Sequence, residues 1–106
     1  MSMTEQWEKV LTSGAIKNGN ISFKGCPFTI DPAFVGGTNA SAPAARTITV
    51  TFKPGSVSQQ WFYSDKMLFA NRNPHTKDFF SRVGAREGMA IRITKTSQNS
   101  LLIEKA

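Results

Sequence analysis

The chain has 106 residues, 40% of them apolar, with eight Phe and two Trp. That composition excludes a wholly disordered polypeptide and suits a single domain, residues 1–106, built on one core. Thirteen Lys and Arg against seven Asp and Glu leave a net charge of +6, which favours a polyanionic partner through phosphate neutralisation and counterion release.

Residues 4–16 predict an amphipathic N-terminal helix. Trp7, Val10, Leu11 and Ala15 recur at i, i+3, i+4 and i+8 and form one apolar stripe. Glu5 and Glu8 fall near its start, where negative charge is favoured. Ser2 or Thr4 supplies a cap, and Asn18-Gly19-Asn20 a stop. Residues 20–103 then read as a barrel. Ile21, Phe23 and Lys24 form a short strand that ends at Gly25-Cys26-Pro27, and Phe28 and Ile30 continue it. Asp31 caps a helical turn with Pro32 at its first position, and Gly36-Gly37 closes that turn. Residues 38–45 make a small-residue loop, expected to be exposed and mobile.

Residues 46–53 give the clearest strand: Ile48, Val50 and Phe52 alternate with Thr47, Thr49 and Thr51. After the Pro54-Gly55 turn, residues 57–63 form the next strand. Residues 61–69 resemble a hairpin with the polar tip Ser64-Asp65-Lys66. Asn73-Pro74 opens a second helix, capped by Asn73 or Thr76, with Phe79, Phe80 and Val83 on its apolar face and Gly84 at its end. Met89, Ile91 and Ile93 alternate again, residues 97–100 form a loop, and residues 101–103 a last strand. Six or seven short strands joined by hairpins, with one or two helices, predict a mainly β antiparallel barrel rather than a parallel α/β sheet.

The chemistry-bearing residues are sparse. Cys26 is the only cysteine and His75 the only histidine. One of each excludes a disulfide framework and a four-ligand zinc site. Cys26 reads as a small hydrophobe, and His75 as a cap or surface residue without a nucleophile beside it. Asp31 reads as a cap, and Asp65 sits at a hairpin tip. Gly36-Gly37 lacks the Lys-Ser/Thr of a phosphate-binding loop. No enzyme, cofactor, metal or small-molecule substrate is expected. With no long apolar run and no signal-peptide pattern, the expected location is the cytoplasm or nucleoid, without membrane association.

Two polar segments stand out. The first is Lys17-Asn18-Gly19-Asn20 with Ser22 and Lys24. The second runs from Trp61 to Arg72, with the aromatics holding a ribbon and Ser64, Lys66, Asn71 and Arg72 presented outward. Lysine and arginine meet phosphate or guanine, and asparagine meets adenine or phosphate, so a ribbon of this kind suits a DNA groove. Arg46, Lys53 and Arg92, on polar strand faces, add general positive field.

Several stretches occur in a familiar order: an Asn-Gly turn before the first strand, Phe28-Thr29-Ile30-Asp31-Pro32-Ala33-Phe34-Val35-Gly36-Gly37, Ile48 to Phe52, Trp61 to Lys66, Phe79-Phe80, and Arg86-Glu87-Gly88-Met89-Ala90-Ile91-Arg92-Ile93. This order resembles the DNA-binding pseudobarrel domains of plant auxin-response-type transcription factors and of the effector-binding domains of restriction endonucleases. Met89 stands where that family usually carries Asp. The resemblance implies an open seven-stranded antiparallel pseudobarrel that grips the major groove with two arms, to which the N-terminal helix is an addition. On this chain the arms fall around residues 18–24 and 64–72. The resulting expectation is non-catalytic binding of double-stranded DNA by Lys66, Asn71, Arg72 and Ser64, together with Lys17, Asn20 and Lys24. The alternative is a protein-interaction or assembly module, for which a large apolar patch would speak; exposed Phe62 or Tyr63 would speak for RNA.

Overall fold

The computed structural model describes residues 5–27, 29–39, 41–70 and 75–106. Five strands, β1 (Glu5–Val10), β2 (Ile48–Lys53), β3 (Val57–Gln60), β4 (Ala90–Ser97) and β5 (Ser100–Lys105), form one sheet in the order β1-β4-β5-β2-β3. Two short helices, α1 (Ser13–Asn18) and α2 (His75–Val83), and a 3-10 turn (Pro32–Phe34) complete the regular structure.

Period-two alternation sets the buried face. Ile48, Val50 and Phe52 of β2, Ile91 and Ile93 of β4, and Leu101 and Ile103 of β5 are all buried. In register, Val50 pairs with Leu101, Phe52 with Ile103, and Ile103 with Ile93, so the apolar side chains stack in rows across the sheet. Burying each such side chain contributes about 1.5–3 kcal/mol. Thr49, Thr51, Arg92 and Glu104 alternate with them and are only half-buried.

The expected seven-stranded antiparallel pseudobarrel is not what forms. The sheet has five strands and is mixed, because β5 pairs antiparallel with β4 and parallel with β2. It stays open, since its outermost strands, β1 and β3, are separated by the other three. The mainly β character and the open sheet do hold. Two expected strands lose their ladders. Residues 21–24 bury Ile21 and Phe23 and make one cross-segment backbone bond, from the Phe23 N–H to the Met67 carbonyl at 2.9 Å. The strand over 57–63 stops at Gln60. Beyond it Phe62 makes single bridges, parallel to Val35 and antiparallel to Phe69. Residues 61–70 therefore do reverse as a ribbon, with the Tyr63 N–H donating to Leu68 at 3.0 Å and the Ala70 N–H to Trp61 at 2.8 Å.

The N-terminal helix over 4–16 is also overturned. Residues 5–10 are β1, in register with β4; Thr4 and Ser2 lie outside the described residues. Trp7, Lys9 and Leu11 share the inward side, while Val10 is 61% exposed. Lys9 hides this alternation because its ammonium lies 5.2 Å over the Trp7 ring, an apolar setting a cation tolerates. Helix begins only at Ser13, where the Thr12 hydroxyl accepts from the Ala15 N–H at 3.1 Å. The expected stop holds. Gly19 takes a left-handed φ of 66°, and its N–H and that of Asn20 reach back to Ile16 and Ala15, as in a Schellman motif.

A second layer covers the inward face of the sheet, made from residues 11–27, 29–37 and 61–70 and from α2. Phe23 is its centre, with ring centroids 4.9 Å from Phe62, 5.1 Å from Phe69 and 5.9 Å from Trp7. α2 turns Phe79 onto Phe52 at 5.5 Å and ends at Gly84, φ 63°; its expected start at Asn73-Pro74 lies outside the described residues. Thr76, the other expected cap, is a buried helical residue. Asp31 caps the 3-10 turn as expected, accepting from the Ala33 N–H at 2.9 Å. Among the described residues no helix is long and apolar enough to cross a membrane.

Candidate nucleic-acid interface

The two polar segments meet. Chain reversal places each one: residues 23–26 turn through Gly25, whose φ of 80° suits a glycine, and the Cys26 N–H closes onto the Phe23 carbonyl at 3.2 Å. Lys24 is thereby left exposed at the turn's corner. Residues 64–66 form the tip of the ribbon, closed by the Met67 N–H on the Tyr63 carbonyl at 2.9 Å. Ser22 joins the two turns. Its hydroxyl donates to the Lys66 carbonyl at 3.2 Å and accepts from the Lys24 N–H at 3.3 Å. With the bond from Phe23 to Met67, this makes one ridge rather than two arms with a duplex-sized gap between them.

Lys24 and Lys66 are exposed at that ridge. Ser64 is exposed beside Lys66, its N–H tied to the Gly37 carbonyl at 3.1 Å. Asp65 is the local acid; its carboxylate accepts from the Lys66 backbone N–H at 2.9 Å. Lys17 is exposed in the last turn of α1, and Asn20 follows the Gly19 stop and leads into Ser22. Asn71 and Arg72 lie outside the described residues. Among the described residues the two ion pairs are elsewhere, Arg82 with Asp78 at 2.8 Å on α2 and Arg92 with Glu8 at 3.4 Å on the outer sheet face. Lys17, Lys24 and Lys66 thus face solvent without an acidic partner among the described residues.

Behind the ridge lies a cleft of about 330 Å³ that no sequence pattern revealed. Lys9, Gly14, Asn20, Ser22 and Leu68 line it, with Val10 at the β1 edge. The Asn20 side-chain oxygen is buried and has no hydrogen-bond partner among the described residues. Asn20 was visible as a polar residue after a helix stop. Lys9 and Gly14 carried no signal of a shared wall, because the sequence read both into one helix over 4–16, whereas Lys9 lies on β1 and Gly14 on α1.

The remaining expected residues act structurally. Arg46 stacks 5.5 Å over Phe34 and donates to Asn99 at 3.1 Å. Phe62 is fully buried and Tyr63 half-buried, so Phe62 is no stacking platform. His75 is half-buried and its Nδ1 lies 2.8 Å from the Ser56 hydroxyl, which ties the start of α2 to the β2–β3 turn. No group of three or more His, Cys, Asp or Glu able to hold a metal occurs among the described residues.

No known protein family, curated protein or solved structure matches the chain.

Proposed function

We propose that the chain binds double-stranded DNA, without catalysis, by laying the ridge of residues 22–24 and 64–66 on the phosphate backbone. One observation carries this reading. A single hydroxyl, that of Ser22, bonds the backbones of Lys24 and Lys66 and so joins the two turns, and both lysines are exposed and without a carboxylate partner among the described residues. The net charge of +6 adds a favourable field around that surface. Lys17 extends the basic surface toward α1. A single ridge follows phosphates rather than base edges, so the reading calls for weak sequence preference and strong salt dependence.

Fluorescence anisotropy with a random-sequence duplex at two salt concentrations tests it. Lys24→Ala with Lys66→Ala is expected to weaken binding and to lower the slope of log affinity against log salt by about two, roughly one for each phosphate no longer neutralised. Unchanged affinity and slope would remove the ridge from the interface. A protein partner has less support. The two large exposed hydrophobics among the described residues, Val10 and Val57, lie on the outermost strands with three strands between them, and so share no patch.

A further inference from the structure

We infer that the outer face of the sheet, turned away from the covering layer, docks on the same face of a second copy of this chain. The inference is independent of the ridge, which belongs to the opposite side of the sheet, and its test needs no nucleic acid. Strand register arranges the outer face in rows. One row reads Glu8, Arg92, Glu104, Lys53 across β1, β4, β5 and β2. The next reads Gln6, Thr94, Leu102, Thr51 across the same strands. Glu8 and Lys53 are exposed, and Arg92, Glu104 and Leu102 are only half-buried, so solvent reaches this face.

The charges select the occupant. The first row alternates acid, base, acid, base, and a two-fold axis running along the strands between β4 and β5 reverses that order. It sets Glu8 against Lys53 of the second copy and Arg92 against Glu104 of the second copy, so every charge of the row meets its opposite, and symmetry makes each contact twice. A two-fold axis along the row would instead set each charge on its own copy, which repulsion disfavours. The row sums to zero although the chain carries +6, so the surplus cations do not oppose the contact there. On the same axis Leu102 lies against Thr94 of the second copy, and the two leucines flank the axis as an apolar centre bordered by the charged row. Two twisted sheets stack in this way with their strands within about 30° of one another. Four strands about 4.8 Å apart and about 20 Å long bury on the order of 1,000 Å² in total when two copies meet, the lower limit of a specific interface, so the dimer is weak and assembles in the micromolar range. Pairing edge to edge is the poorer route, because β1 carries the inward Lys9 and β3 is only four residues long.

Analytical ultracentrifugation of the full chain across the micromolar range, at low salt, reads the association. The intact chain is expected to pass from monomer to dimer as its concentration rises. Lys53→Glu sets like charges against each other at both ends of the row and should weaken association about tenfold, as should Glu8→Lys. Glu8 and Lys53 stand on strands separated by β4 and β5, too far apart to touch within one chain. Combining Glu8→Lys with Lys53→Glu should therefore recover the intact affinity to within about threefold, because the two meet across copies. Leu102→Asp puts two carboxylates beside the axis and should hold the chain monomeric. Leu102→Thr, which suits a strand, keeps the test if the carboxylate unfolds the sheet, and should weaken association about tenfold. A chain that stays monomeric at every concentration leaves the face to solvent or to a different protein and overturns the inference. So does a dimer that neither Leu102 variant weakens, or one that the paired charge swap fails to restore.

Discussion

The sheet and the layer laid over it are stabilised in different ways. In β2, β4 and β5 seven buried aliphatic and aromatic side chains share the load in register, and each has neighbours on the adjoining strands. The covering layer of residues 11–27, 29–37 and 61–70 has no comparable ladder among the described residues. It is held by a few specific interactions: the Phe23 ring cluster, the close passage of Gly36 over Trp61, and isolated backbone bonds such as Phe23 to Met67. The ridge and its cleft belong to this second layer. Its geometry depends on single residues, while the sheet averages over many.

Urea unfolding of point variants measures that contrast. Phe23→Ala removes the ring at the centre of the layer and should cost about 3–5 kcal/mol, against about 0.5–1.5 kcal/mol for Ile93→Val within the sheet. A loss below about 1 kcal/mol for Phe23→Ala would mean that the layer is not organised by its aromatic cluster. Gly36→Ala comes next. A Cβ there would lie 2.5 Å from the Ala42 carbonyl oxygen and 2.6 Å from Trp61 Cζ3, so the strap over Trp61 must shift, at about 1–3 kcal/mol. Thr12→Ala deletes the α1 cap and should cost about 1 kcal/mol, with nuclear magnetic resonance shifts confined to the cleft side. Arg82→Ala breaks the exposed pair with Asp78 and should change stability by no more than about 0.5 kcal/mol, an effect that salt erases.

The same contrast explains what could be seen in the sequence. β2, β4 and β5 were legible because Ile48-Val50-Phe52 and Ile91-Ile93 keep strict alternation. α2 was legible through Phe79, Phe80 and Gly84, and the 3-10 turn through Asp31-Pro32. β1 was not, because the inward Lys9 breaks its alternation while Trp7, Val10 and Leu11 happen to match a helical spacing. Pairing with β4 then overrides local preference. The parallel join of β2 to β5 was out of reach, since no local pattern states which distant strand is the neighbour. The apolar spacing of Ile21 and Phe23 marked burial correctly but not ladder formation. The basic segments were found by composition, yet their meeting through Ser22, a hydroxyl with no motif around it, needed the fold.

The placement of β5 has a consequence for biosynthesis. Among the five strands it alone touches both β4 and β2, so the pair β1–β4 and the pair β2–β3 have no ladder in common until residues 100–105 arrive. A nascent polypeptide still lacking them carries two separate ribbons, each with an unsatisfied inner edge. Completion of the sheet therefore waits on the seating of one strand, and until it occurs those edges are open to mispairing.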